Sequence, residues 1–305
     1  MVLNTEIQKS SFSVVIPAYN EGSTIGRVLK EMKDVLGMNV EILVVNDGST
    51  DETGAVAEQL GVRVITHKRN FGYGASIKTG VLKAQNDKIC FFDADGQHNP
   101  HDILPIINGL EVADMVIGAR GVSGYQNLRR MPKFILHLTA IILTRKMIPD
   151  LNSGLRAIHR QVLLPYLHLL PDGFSASTTS TIALLAWGYK VAFHKITVKP
   201  RLGKSQVRPI ADGLSTLRLI INLVVSFKPL NFFLPLGVPL LIGGLIYGFV
   251  GAIIDGSYGF PVGGMLLVFL GVMTTLAGIF MEQFSLLLKE RYEDIAGIIN
   301  RRIKE

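Results

Sequence analysis

Two carboxylates and an amide lie in the run Phe91-Phe92-Asp93-Ala94-Asp95-Gly96-Gln97-His98, directly after the short apolar stretch Lys88 to Phe92 that reads as a buried strand. Carboxylates two residues apart in an extended segment point the same way. Hard oxygen ligands of that kind suit Mg2+ or Mn2+ carrying a nucleotide diphosphate. Asp93, Asp95 and Gln97 are therefore expected to form a metal-diphosphate site. Taken alone, Asp-Ala-Asp-Gly is equally good turn chemistry, so the rest of the chain has to decide. His98 and His101 are close by, but the acidic neighbours favour oxygen coordination, which leaves His98 beside a ligand at most.

The elements that must position this cluster follow from the hydrophobic pattern. From Phe12 onward, β-branched runs alternate with helical spacing, the signature of βαβ units and a mostly parallel sheet. Strands are expected at Phe12 to Ile16, Val40 to Val45, Val62 to Thr66, Lys88 to Phe92 and Met115 to Ile117. Ile25, Val28, Leu29, Met32 and Leu36 define one helix face, and Ala75 to Ala84 another helix. Pro17-Ala18-Tyr19-Asn20-Glu21, Asn46-Asp47-Gly48-Ser49-Thr50-Asp51 and Arg69-Asn70-Phe71-Gly72 then fall at carboxyl ends of strands, where open α/β sheets bind ligands. Asp47 is expected to accept a hydrogen bond from a nucleobase N–H, and Glu21 to do likewise or to contact ribose. Ser49 and Thr50 are expected to cap the helix that begins near Glu52. A dinucleotide site is disfavoured, because the first strand runs into Pro17-Ala18-Tyr19-Asn20 rather than a Gly-x-Gly-x-x-Gly turn.

Composition adds a second region. Hydrophobic residues make up 48% of the 305 residues, yet 18% are charged, a mixture that suggests a soluble part joined to a membrane part. Asn231 to Ile254 and Phe260 to Met281 contain no Asp, Glu, Lys or Arg, and each is long enough to cross a hydrocarbon core of roughly 30 Å. The segment Asp255 to Gly259 between them has no Lys or Arg. Lys228 precedes the first span, and Lys289, Arg291, Arg301, Arg302 and Lys304 follow the second, so both termini are expected in the cytoplasm. Met1 to Ser13 has no signal-peptide pattern. The net charge of +7 is read as attraction to anionic lipid beside the spans rather than to nucleic acid. Phe134 to Ile148 and Pro209 to Phe227 have the character of interfacial helices, with packing on the domain core as the alternative. The single cysteine, Cys90, excludes an intrachain disulfide and reads as a small core residue. Gly243-Gly244, Gly248 and Gly251 permit close helix packing within one chain or in a homo-oligomer.

The ordered set Ile16-Pro17-Ala18-Tyr19-Asn20-Glu21, Asn46-Asp47-Gly48-Ser49-Thr50-Asp51, Asn70-Phe71-Gly72 and Asp93-Ala94-Asp95-Gly96-Gln97 resembles the motifs of family 2, GT-A fold, inverting glycosyltransferases. Asn152-Ser153-Gly154-Leu155-Arg156 and Arg201-Leu202-Gly203-Lys204-Ser205 resemble later motifs of polyprenyl-phosphate glycosyltransferases, the dolichyl-phosphate mannose or glucose synthases and their undecaprenyl-phosphate relatives. The resemblance implies that Asp93, Asp95 and Gln97 hold Mg2+ or Mn2+. It also implies that Pro17, Tyr19, Glu21, Asp47, Asn70, Gly72, Asp93, Ala94 and Asp95 line the pocket for a GDP- or UDP-linked sugar.

A sugar hydroxyl must lose a proton as it attacks, whereas a lipid phosphate is already anionic and requires cations to hold it in line. Arg120, Arg156, Arg201, Lys204 and Ser205 are accordingly expected around the acceptor phosphate, with Asp95 and Arg201 as catalytic residues. Arg129 and Arg130 read as solvated charges. The Gln-x-x-Arg-Trp motif of processive polysaccharide synthases is missing, since the one tryptophan, Trp187, lies in Ala186-Trp187-Gly188. The expected organisation is a cytoplasmic GT-A catalytic domain over residues 1–207, a juxtamembrane amphipathic helix over 208–229, two transmembrane helices over 230–282 and a cytoplasmic tail over 283–305. The expected activity is inverting transfer of one hexose, mannose or glucose, from a nucleotide-diphosphate sugar to a polyprenyl phosphate at the membrane of a prokaryote. Rival readings are transfer to a lipid or protein hydroxyl, and a non-catalytic protein that senses a nucleotide-sugar.

Overall fold

The structure is a computed structural model that describes residues 11–37, 40–120, 131–173, 175–199, 221–223, 227–254 and 259–304. Among these, β1 (Phe12–Ala18), β2 (Glu41–Asn46), β3 (Arg63–Thr66), β4 (Lys88–Phe91), β5 (Met115–Arg120), β6 (Arg156–His159) and β7 (Val191–Ile196) form one sheet in the order β3-β2-β1-β4-β6-β5-β7. Strand β1 pairs in parallel with β2 on one side and β4 on the other, with Ala18 opposite Asn46 and Val15 opposite Phe91. The strand order therefore runs outward in both directions from β1, and the crevice between the carboxyl ends of β1 and β4 is a topological switch point. Strands β5 and β7 are parallel, while β6 runs antiparallel between β4 and β5.

The five expected strands are all present, and β1, β2 and β5 run one to three residues further than their apolar runs suggested. Strands β6 and β7 extend the list. Their sequences, Arg-Ala-Ile-His and Val-Ala-Phe-His-Lys-Ile, carry charged or titratable residues that disguise a strand pattern. Helix α1 (Gly22–Leu36) buries Ile25, Val28, Leu29, Met32 and Leu36, the stripe expected from their spacing. Each such side chain contributes about 1.5–3 kcal/mol of burial. Helix α2 (Thr53–Gln59) and helix α3 (Tyr73–Lys83) follow β2 and β3. Gly80 of α3 lies so close to Val15 that a Cβ there would sit 2.2 Å from a Val15 methyl, which is why the helix can lie directly on β1. Cys90 is fully buried in β4. Short helices α4 (Ile103–Asn108) and α6 (Arg160–Leu163) flank the far side, and α7 (Ala176–Ala186) is buried along its whole length.

The chain divides into two compact units. The sheet and the helices named so far form one. The other comprises α5 (Met131–Thr144), α8 (Pro229–Ile254) and α9 (Val262–Lys304) as far as Ile298. Pro229–Ile254 and Val262–Arg291 are each long and apolar enough to cross a membrane, with mean hydropathy 2.1 and little of their surface covered by protein. Their contact is a seam of glycines. A Cβ on Gly244 would lie 2.7 Å from Val268 N, and one on Gly271 would lie 2.4 Å from Leu241 N, so only glycine admits this backbone approach. Gly244 and Gly248 thus pack within the chain, while Gly243 faces away from it. Leu230 N–H donates to Glu282 (3.1 Å) and Arg145 Nη2 to Asn231 (3.4 Å), forming a polar layer at one end of the seam. The helical part of the Phe134 to Ile148 expectation is observed as α5. Most of the Pro209 to Phe227 expectation lies outside the described residues.

Candidate active site

The loops that leave β1 and β2 are laced together by short polar side chains. Asn20, at φ +56°, donates its N–H to Ser49 Oγ (3.0 Å) and receives Thr50 N–H on Oδ1 (2.9 Å). Asp51 accepts Gly22 N–H (2.9 Å) and Thr53 N–H (3.0 Å). Burial works against the charge on Asp51, but the Thr53 hydroxyl and these backbone donors outweigh it and hold the carboxyl below its usual range. The capping expected of Ser49 and Thr50 is corrected here. Neither serves the first turn of α2; both are turned sideways to join the β1 loop, and Asp51 meets the Thr53 N–H instead. Glu21 accepts the Thr24 hydroxyl (2.8 Å), and its own N–H donates to Thr53 Oγ1 (2.8 Å), so it anchors the entry to α1. Asn46 accepts Ser49 N–H (3.2 Å) and donates to Thr66 Oγ1 (3.4 Å).

Asp47 follows β2 and is only 3% exposed. Its carboxylate receives Phe71 N–H (3.0 Å) and Gly72 N–H (2.8 Å) and faces His67 Nδ1 at 2.7 Å. Because the carboxylate can only accept, Nδ1 carries the shared proton. His67 Nε2 lies 2.9 Å from the Thr79 hydroxyl. Through these contacts Asp47, expected to read a base, braces the loop after β3. Gly72 makes that loop possible: its φ is +105°, and a Cβ would fall 2.4 Å from the Asp172 carbonyl. Pro17 is buried in β1, while Tyr19, Asn70 and Phe71 are exposed along the same edge. The Arg69 guanidinium lies 5.1 Å from the Phe71 ring centre.

Asp93 lies just past β4, where Phe92 N–H still pairs with Val15 O (3.0 Å). Its side chain keeps 28% exposure. Tyr73 O–H, from the first turn of α3, donates to Asp93 Oδ1 (3.1 Å), and His98 Nε2 is 3.5 Å from Oδ2. Burial opposes the charge on Asp93, but His98, Tyr73 and the nearby Arg156 together hold its carboxyl below the usual range. Burial and then the Asp93 charge push the Tyr73 phenol up, so it stays a donor. The strap Ser153-Gly154-Leu155 presses on the other side. A Cβ on Gly154 would lie 1.9 Å from Asp93 Oδ2, which explains the glycine in that motif. Asp95 is half-buried and accepts Gln97 N–H (3.1 Å). The Gln97 side-chain amide donates to Lys199 O (3.5 Å), and the Gln97 backbone carbonyl receives Lys199 N–H (2.9 Å).

The structure parts two of the expected phosphate-binding arginines. Arg156 is 3% exposed: Nε and Nη2 donate to the Ser153 carbonyl, and Nη1 to Ser177 O (2.7 Å), Thr181 Oγ1 (3.0 Å) and Ser180 Oγ (3.2 Å). Its geometry is that of a tie between the Gly154 strap and α7. Burial lowers its pKa, against the pull of Tyr73, Asp150 and Asp93. Arg120, at the end of β5, keeps a third of its side chain exposed. Asp150 receives its Nε (2.7 Å) and Nη2 (2.9 Å) in a fork and also its backbone N–H (3.2 Å). That fork, aided by the charges of Asp150, Asp93 and Asp95, raises the Arg120 pKa. Arg120 therefore presents a fixed cation towards the acidic pair. Arg201, Lys204 and Ser205, like Arg129 and Arg130, lie outside the described residues. Sequence reasoning missed Tyr73, His67 and Asp150. The Asp150-x-Asn152 pattern ahead of Ser153-Gly154 was a visible signal for the last, whereas a lone tyrosine and histidine gave none.

Among the described residues no group of three or more His, Cys, Asp and Glu side chains converges as a metal cage. Two carboxylates of a hard oxygen type, one with its charge actively stabilised, fit a Mg2+- or Mn2+-class ion that takes its remaining oxygens from phosphate and water.

A profile of glycosyl transferase family 2 matches residues 13–165, half of the chain, and the protein belongs to that family. Its fold is the GT-A fold. Among the fold's neighbours is glucosyl-3-phosphoglycerate synthase of Mycobacterium tuberculosis, crystallised with Mn2+, UDP and glucosyl-3-phosphoglycerate. It aligns over 72% of this chain and 80% of its own with a TM-score of 0.57 and 22% identity. The sequence is 28% identical to a dolichyl-phosphate hexose transferase of Haloferax volcanii, over 73% of this chain and 97% of that protein. It is 32% identical to a polyprenol monophosphomannose synthase of Mycolicibacterium smegmatis, over 49% of this chain and 62% of that protein.

Proposed function

We propose that this glycosyltransferase moves a single hexosyl unit from a GDP- or UDP-linked sugar to a polyprenyl phosphate, with inversion at the anomeric carbon. The observation that carries the reading is the Arg120 guanidinium forked on Asp150 at the end of β5, near enough to the carboxylates of Asp93 and Asp95 beyond β4 to feel their charge. An acidic pair beside a fixed cation suits a reaction in which both partners are anions. The names of the Haloferax and Mycolicibacterium relatives support the lipid acceptor.

Asp93 and Asp95, with Gln97 at their side, would hold Mg2+ or Mn2+, and the Mn2+ and UDP of the fold neighbour support this choice. When bound, the ion would neutralise charge on the departing diphosphate. The chain's own residues do the rest. The loops at Tyr19, Asn70 and Phe71 form the open wall for the nucleoside, and Asp47 keeps the last of them in shape. Arg120, steadied by Asp150, orients a phosphate oxygen of the acceptor for in-line attack. That oxygen bonds to the anomeric carbon as the bond from this carbon to the diphosphate breaks. The acceptor arrives without a proton on its attacking oxygen, so no base is required.

The two apolar helices would hold the catalytic unit at a membrane, with Lys228, Lys289 and Arg291 on the cytoplasmic side. Purified full-length protein with Mn2+, labelled GDP- and UDP-hexoses and a polyprenyl phosphate is expected to form one monoglycosylated phospholipid of inverted configuration. A product that retains the donor's configuration, or full turnover in the presence of chelator, would refute the mechanism. Transfer to a lipid lacking the phosphate would favour a hydroxyl acceptor. Tight donor binding with no transfer would favour a sensor.

A further inference from the structure

Asp93 is reached from the nucleoside side of the pocket by a single short stretch of chain. Phe71 N–H and Gly72 N–H donate to Asp47 beyond β2, and the next residue, Tyr73, donates its hydroxyl to Asp93 beyond β4. Gly74 N–H and Ala75 N–H then bond the Asp172 carbonyl (2.6 and 3.1 Å), and Lys78 pairs with the Asp172 carboxylate at 2.7 Å. Three successive residues are therefore clamped at both ends of the site and from behind, with Gly72 in a backbone conformation that other residues rarely adopt. The Tyr73 hydroxyl holds Oδ1 of the Asp93 carboxylate, while His98 and the close approach of Gly154 meet Oδ2. Asp95 is held differently, through the backbone of its own turn.

We infer that Tyr73 is a positioning residue for the divalent ion: its hydroxyl orients Asp93, and the Phe71–Tyr73 stretch transmits the shape of the nucleoside wall to the cation site. The inference rests on the metal reading proposed above. A residue that hydrogen-bonds a ligand governs metal affinity by holding the ligand's lone pairs in place. Because the stretch is continuous, a displaced Asp93 should weaken the ion without opening the loop that Asp47 braces.

The test is a Mn2+ titration of the full-length protein in detergent, followed by the electron paramagnetic resonance signal of free Mn2+, with GDP or UDP present. Tyr73→Phe keeps the ring and removes only the hydroxyl. It is expected to weaken Mn2+ binding by about tenfold while nucleotide affinity without metal stays within about twofold. Its thermal midpoint should fall by no more than several degrees, the cost of about one buried hydrogen bond. Unchanged Mn2+ affinity in the variant would overturn the inference, as would equal loss of Mn2+ and metal-free nucleotide binding, the mark of a loop that has merely loosened. If the unaltered protein itself takes up no Mn2+ with either nucleotide, the metal reading falls and the inference with it.

Discussion

Asp47 and Asp93 are both aspartates one or two residues beyond a parallel strand, on the same edge of the same sheet, yet they sit in different surroundings. Asp47 is 3% exposed and surrounded by three protein donors, so its charge builds the loop around it. Asp93 is met by Tyr73, His98 and Gly154 but keeps 28% of its side chain exposed. Arg156 and Arg120 repeat the contrast in positive charge: one is sealed among carbonyls and hydroxyls, the other is forked on Asp150 with about a third of its side chain exposed (35%). Residue type and position at a strand end do not separate a brace from a ligand. Burial and protein partners differ between the two, and a buried charge that already has its hydrogen bonds has little capacity left for a substrate.

The largest effect that would sharpen this contrast is expected from Asp95→Asn. With half the acidic pair neutralised, turnover should fall by about a thousandfold with no loss of thermal stability. Near-normal turnover in a Mn2+-saturated assay would break the assignment. Asp47→Ala should act on the fold instead. It leaves His67 and two backbone N–H groups without their acceptor, at a cost of about 3 kcal/mol, read as a lowered denaturation midpoint. If it left stability intact and raised only the nucleotide KM, Asp47 would belong with the ligands after all.

Arg120→Ala should raise the KM for polyprenyl phosphate by about thirtyfold and the KM for nucleotide-sugar far less, whereas Arg156→Lys should damage both together. A donor-selective defect in Arg120→Ala would reverse the division of the site. The smallest effect concerns pH. Burial opposes the Asp150 charge, but Arg120 and the backbone donors hold its carboxyl below the ordinary 3.8. The stability it supplies is therefore complete above that value and lost as pH falls through the lower, folded pKa. Asp150→Asn should flatten the acid end of the stability profile. A profile of unchanged shape between pH 5 and pH 2.5 would contradict the pairing.

The sheet was legible where local and global demands agree. The runs at β1, β2 and β4 are apolar because they are covered on both faces, and the α1 stripe repeats at helical spacing because one face meets the core. Strand β6 was not legible. Four residues starting with a buried arginine make sense as a strand only once α7 supplies Ser177, Ser180 and Thr181 to receive the guanidinium. Ser49 and Thr50 misled for a related reason: the propensity of a hydroxyl to cap the next helix lost to a partner, Asn20, that is 29 or 30 residues distant in sequence.

The sequence by itself determined the alternation of strands and helices, the acidic pair after β4, and two charge-free stretches long enough for a bilayer. Those are properties of neighbouring residues, written in spacing and composition. Only the tertiary structure decided that Asp47 is enclosed by His67 and the Phe71–Gly72 backbone, that Arg120 forks on Asp150, and that a tyrosine on α3 reaches Asp93. Such roles depend on burial and on partners far apart in the chain, and a hydrogen bond between residues 20 or 30 positions apart leaves no periodic trace in the sequence.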